Sequence, residues 1–525
     1  MNIKALTPAL SVSPQVHPAD MAEIVASGLR SIICNRPNGE ETGQPAAAEI
    51  AAAAKAHGLD FAHVPVVSGQ VGAGDAAAMA RALAALPAPV LAYCRSGARS
   101  AEVAQLAATL GEGAITRYEI VVIGGGSAGI AAAASILRRR PDVSLAIVEP
   151  SETHYYQPGF TMVGGGIFNA EATRRSVEEL VPAQAVWIRG AAASFEPGAN
   201  QVTLADGRVL AYGVLVVSPG LKLDWDAIPG LAAALGANGV TSNYRYDLAP
   251  YTDRLVRRFR GGRALFTQPG MPIKCAGAPQ KAMYLACHRW ESEGVLGGAE
   301  VQFHTATPTL FGVADYVPAL ESYIARYGID LHLESRLVSI DGTTKTALFE
   351  QRRGDIVCRV EERFDMIHVV PPQVAPDFIA SSPLAAPSGF VAVDEMTLRH
   401  EDYANIFALG DVAATSNAKT AAAARKQAPV VALNALAALD GAAPVAAYTG
   451  YGSCPLTVEA GRIVLAEFGY GGKLMPTFPK WLIDGTRPSR LSWLLKERLL
   501  PPLYWHAMLQ GREWLAAPAA IDPQR

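Results

Sequence analysis

Apolar and polar positions in the first hundred or so residues alternate between two periods. Short apolar runs (LRSIICN, FAHVPVV, PVLAYC) are separated by alanine-rich stretches with helical spacing (AAAEIAAAAKAHG, DAAAMARALAAL). Short strands that alternate with helices predict a small α/β domain over residues 1–112.

A second α/β pattern starts with the apolar strand Tyr118–Ile123, which leads through a glycine loop into an alanine-rich helix and then the strand SLAIVEP. A chain of 525 residues is too long for one core. We therefore predict four segments after the first domain. They are a Rossmann-type domain in two parts (113–235 and 379–444), a second Rossmann-like domain between them (236–378), and a C-terminal module with amphipathic helices (445–525).

Composition narrows the range of partners. The net charge is only -3, and half of the residues are hydrophobic, so neither nucleic-acid binding nor disorder is indicated. The six cysteines are far apart, which predicts neither a disulfide scaffold nor a metal site. Because we find no basic and apolar leader and no spanning apolar stretch, we expect a cytoplasmic protein that could lie on a membrane.

The glycine loop has the spacing of a dinucleotide-binding fingerprint. Gly124, Gly126 and Gly129 follow a strand and open a helix, with Ser127 and Ala128 between them, and Glu149 ends the next strand. Such glycines let a pyrophosphate approach the helix N-terminus, and the acidic residue can bind ribose hydroxyls. A tight turn without a ligand is the alternative.

A second motif favours FAD over NAD. NIFALGD at 405–411 resembles the second FAD-contacting motif of flavoproteins with two dinucleotide-binding domains, in which the aspartate, here Asp411 after Gly410, binds the ribityl chain. A helix N-cap is the other interpretation of Asp411. The middle domain has MPIKCAGAPQK at 271–281 where a second glycine fingerprint would stand, so we expect no nicotinamide.

With these residues in view, the chain from about 118 to 515 resembles the sulfide:quinone oxidoreductase family, in particular the branch that includes the mitochondrial enzymes. The matching stretches, besides the glycine loop, are HYYQP at 154–158, KCAGAPQKAMYL at 274–285, VPP at 370–372, AKT at 418–420, SCPL at 453–456, LAEF at 465–468 and LYWHAMLQG at 503–511. The resemblance implies membrane-associated oxidation of sulfide to sulfane sulfur, with cysteines beside FAD and ubiquinone as acceptor. It adds Gln157 and Lys419 to the expected cofactor contacts.

Cys275 is the expected catalytic thiol, since the neighbouring Lys274 would favour the reactive thiolate. In the family branch a second redox cysteine often follows the Gly-Asp pair, but this chain has Val412 there. Either another cysteine is the partner, with Cys454 as first candidate, or Cys275 works with an external thiol. A structural role is the alternative for Cys454. We expect Cys287 in the core and Cys358 on a strand.

Cys94 has its own candidate chemistry. It follows the strand PVLAY and precedes a helical pattern, so backbone N–H groups and Arg99 are expected to stabilise its thiolate. The C-x4-R spacing resembles the rhodanese loop, while SVSPQ, NRPNGEE and GQP resemble a bacterial family of phosphatase-like domains. Sulfur transfer is the preferred prediction; a phosphatase and an inactive loop are the alternatives.

The C-terminal segment predicts an interfacial helix. Leu491, Leu494, Leu495 and Leu499 recur at helical spacing with Arg490, Lys496 and Arg498 among them, and a second stretch carries Leu503, Tyr504, Trp505, Ala507 and Met508. A helix packed on its own protein is the alternative. The resemblance favours peripheral attachment to the inner membrane.

Three functions fit the sequence. The first is a sulfide:quinone oxidoreductase joined to a sulfurtransferase-like domain, with sulfide, a quinone and a low-molecular-weight thiol as partners and homo-oligomerisation possible. The second keeps the flavoprotein but passes electrons to a protein acceptor. The third is a non-catalytic flavin redox module attached to a phosphatase.

Overall fold

The computed structural model describes residues 1–69, 71–109 and 115–521. The chain divides into two compact units, one formed by Met1–Arg117 with Gly190–Ala211, the other by Tyr118–Arg189 with Tyr212–Arg525. The predicted boundary between residues 112 and 113 lies outside the described part of the chain. The other predicted boundaries remain predictions.

The first unit contains the predicted small α/β domain. Its five-stranded sheet has, in spatial order, the strands Lys4–Thr7, Leu10–Ser13, Val90–Tyr93, Ser31–Cys34 and Asp60–His63. The helices are Met21–Ala26, Ala47–Ala56, Ala73–Ala85 and Ala98–Thr109. Strands Ser31–Cys34 and Val90–Tyr93 are buried throughout, as expected for parallel strands covered on both faces. The unit also includes a hairpin of Ala192–Glu196 and Gln201–Leu204.

The second unit is built around two sheets of dinucleotide-binding type. The first runs in the order Val186–Ile188, Leu145–Val148, Thr116–Ile123, Val209–Val217, and Ile406–Ala408 pairs in parallel with the last of these strands. Helices Ser127–Arg139 and Ala421–Leu439 share one buried apolar cluster with these strands. Thus the strand Ile406–Ala408, far downstream in the chain, joins the sheet whose strand Thr116–Ile123 leads into the glycine loop. This is the arrangement expected for a domain formed by two separate parts of the chain.

The second sheet of this unit has the order Val240–Thr241, Met366–His368, Gly262–Gln268, Ala299–Thr305 and Asp330–His332, all parallel. Its helices are Ala249–Arg258, Ala278–Ser292 and Val317–Tyr327. Beside it lies an antiparallel sheet of Ser335–Asp341, Thr346–Arg353 and Ile356–Arg363. The predicted α/β architecture with two Rossmann-type sheets is confirmed.

The remaining elements are short except for one hairpin. Gly452–Glu459 and Arg462–Phe468 form this antiparallel hairpin, and Arg490–Leu494, a π-helical turn Leu495–Leu499 and the helix Leu500–His506 follow it. The smaller pieces are the strands Thr153–Tyr155, Arg174–Ser176, Lys222–Leu223, Gln373–Val374, Ala446–Ala447 and Ala519–Ala520, and the helices Phe160–Gly164, Leu231–Ala234 and Asp377–Ala380. Within the described ranges, we find no helix that is both long and apolar enough to cross a membrane.

Candidate active site

The glycine loop is packed too tightly for larger residues. Gly124 has a positive φ of 99°, and a Cβ on Gly129 would lie 1.9 Å from the Gly124 carbonyl oxygen. Around Gly126, by contrast, the position of a Cβ is open, and this residue precedes the helix Ser127–Arg139. The loop therefore brings a helix N-terminus, with its free N–H groups, against open space.

Glu149 closes the loop from the neighbouring strand. Its carboxylate accepts hydrogen bonds from the backbone N–H of Gly125 (2.7 Å) and of Ser151 (2.8 Å). Ser127 is hydrogen-bonded through its hydroxyl to the Tyr504 hydroxyl, 2.5 Å away. Both Glu149 and Ser127 line a cavity of about 500 Å³.

The same cavity is bordered by the second predicted motif. Gly410 and Asp411 follow the strand Ile406–Ala408, and Gly410 has a φ of 76°. Burial raises the pKa of the Asp411 carboxyl, while the charges of Lys274 and Lys419 oppose the shift. Lys419 donates to the backbone carbonyls of Asp411 and Ala413, both at 2.8 Å, and burial lowers its pKa to about 8. Glycine loop, acidic residue and Asp411 thus line one continuous cavity, which suits an extended dinucleotide.

Two cysteines meet beside this cavity. The sulfurs of Cys275 and Cys454 are 3.6 Å apart. Cys275 lies in the loop before helix Ala278–Ser292 with a φ of 51°, and its N–H donates to the Lys419 carbonyl. Cys454 is buried on the hairpin strand Gly452–Glu459. A Cβ on Gly277 would lie 2.8 Å from the Cys454 sulfur, so glycine at this position allows the close approach.

Lys281, in the first turns of helix Ala278–Ser292, is the cation at the sulfur pair. Its ammonium donates to the Cys275 sulfur at 3.1 Å. The hydrogen bond from the Cys454 thiol, followed by the Lys281 charge, holds the pKa of Cys275 well below that of an ordinary thiol, against the effect of burial. The pKa of Cys454 is raised, because its thiol donates to Cys275 and is buried. Cys275 is therefore the thiolate of the pair.

Lys274, which was expected to favour the thiolate, interacts with Cys275 through its charge but is not the hydrogen-bond donor to the sulfur, which is Lys281. The Lys274 ammonium instead donates to the Gln157 side-chain oxygen at 2.7 Å. Helical geometry explains the difference: Lys281 is six residues along the chain but is carried back over the loop by the first helical turns. Cys275 and Lys281 also belong to one matching stretch, so the sequence contained a signal that adjacency alone does not reveal.

Lys496 is a second cation near the pair. It was expected on the polar face of an interfacial helix, but only 4% of it is exposed. Burial, and then repulsion from Lys281, lowers its pKa to about 8, while Cys275 and Cys454 oppose the shift. The C-terminal helices thus contribute a charge to the active site.

The other cysteines in this unit take no part in the pair. Cys287 is fully buried in the apolar cluster behind helix Ala278–Ser292, and burial raises its pKa far above that of an ordinary thiol. Cys358 lies on strand Ile356–Arg363 and bonds to the Gln351 carbonyl. Val412, where the family branch often has a cysteine, is buried as well.

In the first unit, Cys94 lies between a strand and a helix as predicted. Burial acts to raise the pKa of its thiol, but the backbone N–H groups of Ser100, Ser96 and Gly97 outweigh it and lower the pKa overall. The Gly97 N–H lies 3.2 Å from the sulfur. The N–H groups predicted at the helix N-terminus therefore stabilise the thiolate.

The role predicted for Arg99 at the thiolate stays a prediction, and the structure gives the partners of its side chain. Its guanidinium forms an ion pair with Glu40 (2.7 Å) and donates to the carbonyl of Val66 (2.8 Å). Glu40 also pairs with Arg36, which pairs with Glu41 as well, so two carboxylates balance the two buried guanidinium groups. The positive charge beside Cys94 is thereby reduced, which sequence spacing alone could not reveal.

Of the two C-terminal stretches that were expected to be amphipathic and exposed, only the first has an exposed apolar face. Leu491, Leu494 and Leu499 are about half exposed (48%, 43% and 56%), but Tyr504, Trp505, Ala507 and Met508 are buried in the apolar cluster of the glycine-loop domain or beside it. The prediction of an exposed apolar face fits only the first stretch; the second is packed on its own protein.

The fold and the cavity, with two cysteine sulfurs 3.6 Å apart beside it, define the class of flavin-dependent oxidoreductases. Over 408 residues the chain is 38% identical to the mitochondrial sulfide:quinone oxidoreductase of Dictyostelium discoideum, covering 77% of this chain and 88% of that protein. The corresponding mouse enzyme is 35% identical over 398 residues, 75% of this chain and 87% of its own. The chain therefore belongs to the sulfide:quinone oxidoreductase family.

Two further comparisons concern the fold. The crystal structure of the sulfide:quinone oxidoreductase from Aquifex aeolicus superposes with a TM-score of 0.64 at 19% identity, over 77% of this chain and 97% of that one. Residues 2–111 match the phosphatase-like domain of the beta-lactamase hydrolase-like protein family. Both agree with the architecture described above.

Proposed function

We propose that this enzyme oxidises sulfide at the Cys275–Cys454 pair and passes the electrons, through FAD, to a quinone. The 3.6 Å approach of the two sulfurs beside the dinucleotide cavity carries this proposal. In this proposal Cys454 supplies the second sulfur from another part of the chain, so no cysteine is needed at the position of Val412.

The charges at the pair assign a role to each sulfur. In the oxidised enzyme the two cysteines are joined by a disulfide, and hydrosulfide attacks the Cys454 sulfur. A new S–S bond forms there, the bond to Cys275 breaks, and Cys275 leaves as the thiolate that Lys281 stabilises. Cys275 is a better leaving group than Cys454, because its thiol has the lower pKa of the two.

A thiolate acceptor then takes the outer sulfur from the Cys454 persulfide, which leaves two thiolates at the pair. The hydrosulfide has become sulfane sulfur with the release of one proton and two electrons, and re-formation of the disulfide delivers those electrons. FAD, when bound, takes up the electron pair and passes it on. Gly126, Glu149, Asp411 and Lys419 would hold it, given their places around the cavity.

A protein acceptor in place of the quinone would leave the flavin reduced when only a quinone is added. Anaerobic titration with sulfide should bleach the absorption band of the flavin at about 450 nm. Decyl-ubiquinone should then restore it. Cys275→Ser and Cys454→Ser should each fail to bleach at the normal rate, whereas Cys358→Ser, a strand cysteine of the same unit, should behave as the wild type. Normal bleaching in either active-site variant would remove the proposal.

A sulfurtransferase role for the first unit is supported by the Cys94 loop. Its thiolate is stabilised by backbone N–H groups, and the guanidinium groups of Arg36 and Arg99 are paired with Glu40 and Glu41, an arrangement better suited to a sulfur cargo than to a phosphate dianion. In the full-length protein, Cys94→Ser should abolish thiosulfate sulfur transfer to glutathione but spare flavin bleaching by sulfide. Loss of phosphotyrosine-analogue hydrolysis without any sulfur transfer would favour the phosphatase alternative.

Attachment of the chain to a membrane is supported by the exposed leucines of the first C-terminal stretch. The same C-terminal segment also carries Trp481, which is 84% exposed. Basic residues next to such a face are typical of helices at a membrane surface. We expect the protein to sit on the cytoplasmic side of the inner membrane, where a quinone is available.

A further inference from the structure

The hairpin Gly452–Glu459 and Arg462–Phe468 presents two chemically different faces. Side chains alternate along each strand, and Cys454 pairs with Ala466 while Ser453 pairs with Glu467. Cys454 and Ala466 belong to the apolar cluster behind helix Ala278–Ser292. Ser453 and Glu467 instead line the cofactor cavity.

Glu467 is the buried carboxylate of the cavity face. Only 5% of it is exposed, and its side chain accepts hydrogen bonds from the hydroxyls of Tyr451 and Thr477, each at 2.5 Å. The Thr477 N–H adds a third at 3.1 Å. Its backbone is held by the Tyr316 hydroxyl, which accepts from its N–H and donates to its carbonyl. A buried carboxylate needs such partners, and their number fixes its position.

This carboxylate is connected to water on one side and to the cavity on the other. Thr477 is exposed, whereas Glu467 and Tyr451 both border the cavity. The Tyr451 and Thr477 hydroxyls are also within 3.2 Å of each other. Solvent, Thr477, Glu467 and the cavity thus form a continuous path for a proton.

The reaction requires such a path. Reduction of a quinone to a quinol adds two electrons and two protons. The oxidation of hydrosulfide supplies both electrons but releases only one proton, so at least one proton must come from water. The apolar surroundings of this part of the cavity, Pro455, Leu465 and Phe478, suit a quinone ring.

We propose that Glu467 is the proton-transfer residue for the quinone. Its carboxylate takes a proton from water by way of Thr477, gives it to a quinone oxygen, and repeats the step for the second proton. An O–H bond forms at each quinone oxygen as one breaks on the glutamic acid, so the carboxylate is regenerated at the end. Tyr451 orients Glu467 through its hydrogen bond. The inference rests on the proposed quinone-reducing function.

The test compares acceptors that differ in their need for protons. In the full-length, flavin-loaded Glu467→Gln enzyme, reduction by sulfide should proceed at the wild-type rate. Reoxidation by decyl-ubiquinone should slow by about 100-fold, the usual scale for loss of a general acid or base. Reoxidation by ferricyanide, which takes electrons without protons, should be unchanged.

Glu459→Gln is the matched control, since it removes a carboxylate from the same hairpin that pairs with Arg326 and Arg462 instead of lining the cavity. It should leave all three rates at wild-type values. Calorimetric binding of a redox-inactive quinone analogue should be the same in the Glu467→Gln enzyme as in the wild type, which separates proton transfer from binding.

Two results would overturn the assignment: quinone reoxidation of Glu467→Gln at the wild-type rate, or an equal slowing with ferricyanide, which would indicate a structural role. Failure of sulfide to bleach the flavin of the wild-type enzyme would instead contradict the proposed function itself. Failure of the Glu467 assignment and failure of the proposed function are therefore distinguishable.

Discussion

The buried Lys281 ammonium lies 3.1 Å from the sulfur of Cys275, which is partly buried. The attraction between the two charges opposes the effect of burial on each group. The pKa of Cys275 falls well below the ordinary thiol value, and the pKa of Lys281 is raised. The two charges thus stabilise each other, which favours the thiolate form of Cys275.

Lys281→Gln should therefore move the pH dependence of flavin bleaching. Without this cation the pKa of Cys275 rises towards the ordinary thiol value of about 8.5, although the hydrogen bond from Cys454 remains, so the thiolate fraction at neutral pH falls and recovers at higher pH. We expect about a tenfold slower bleaching at pH 7 that recovers as the pH is raised. Lys473→Gln, on an exposed lysine, serves as control. An unchanged pH profile would contradict the role of Lys281.

Gly129→Ala tests the cofactor loop. The added methyl would lie 1.9 Å from the Gly124 carbonyl oxygen and 2.7 Å from the Ser218 hydroxyl, so the loop must shift. We expect the variant to purify with most of its flavin absorbance lost relative to protein absorbance. Gly297→Ala, where a Cβ meets nothing within 4 Å, should retain full flavin; normal flavin content in Gly129→Ala would show that this loop does not hold the cofactor.

Glu40→Gln tests the charge balance around Cys94. Removing the carboxylate frees Arg99 and Arg36 from their ion pairs with it, and the positive charge near the thiolate grows. We expect hydrolysis of a phosphotyrosine analogue to rise relative to thiosulfate sulfur transfer. Asp20→Asn, a carboxylate outside this cluster, is the comparison. A ratio that does not change would mean that Glu40 does not set the selectivity of the loop.

The exposed leucines can be tested by flotation with liposomes. Replacing Leu491, Leu494 and Leu499 together by glutamine removes the apolar face but leaves the buried Lys496 in place. The triple variant should remain with the soluble fraction, while a variant with Ile356→Gln and Val357→Gln, two exposed aliphatic residues of the antiparallel sheet, should float like the wild type. Equal flotation of all three proteins would remove the proposed attachment.

Local patterns predicted much of this molecule. The glycine spacing at 124–129, the acidic residue at 149 and the Gly-Asp pair at 410–411 are set by what a dinucleotide demands of a strand-to-helix turn, and these demands are readable from a few consecutive residues. The predicted α/β architecture follows from hydrophobic periodicity in the same way. The position of Cys94 between a strand and a helix N-terminus was also a local inference.

Tertiary structure alone decided the chemistry at the sulfur. Cys275 and Cys454 are 179 positions apart, and only the packing of the hairpin against the loop brings their sulfurs together. Lys281 rather than Lys274 donates to the Cys275 sulfur, because helical geometry and not adjacency sets the direction of a side chain. Glu40, from another loop, forms an ion pair with Arg99. Contacts between distant segments depend on how the elements pack, which no spacing along the chain encodes.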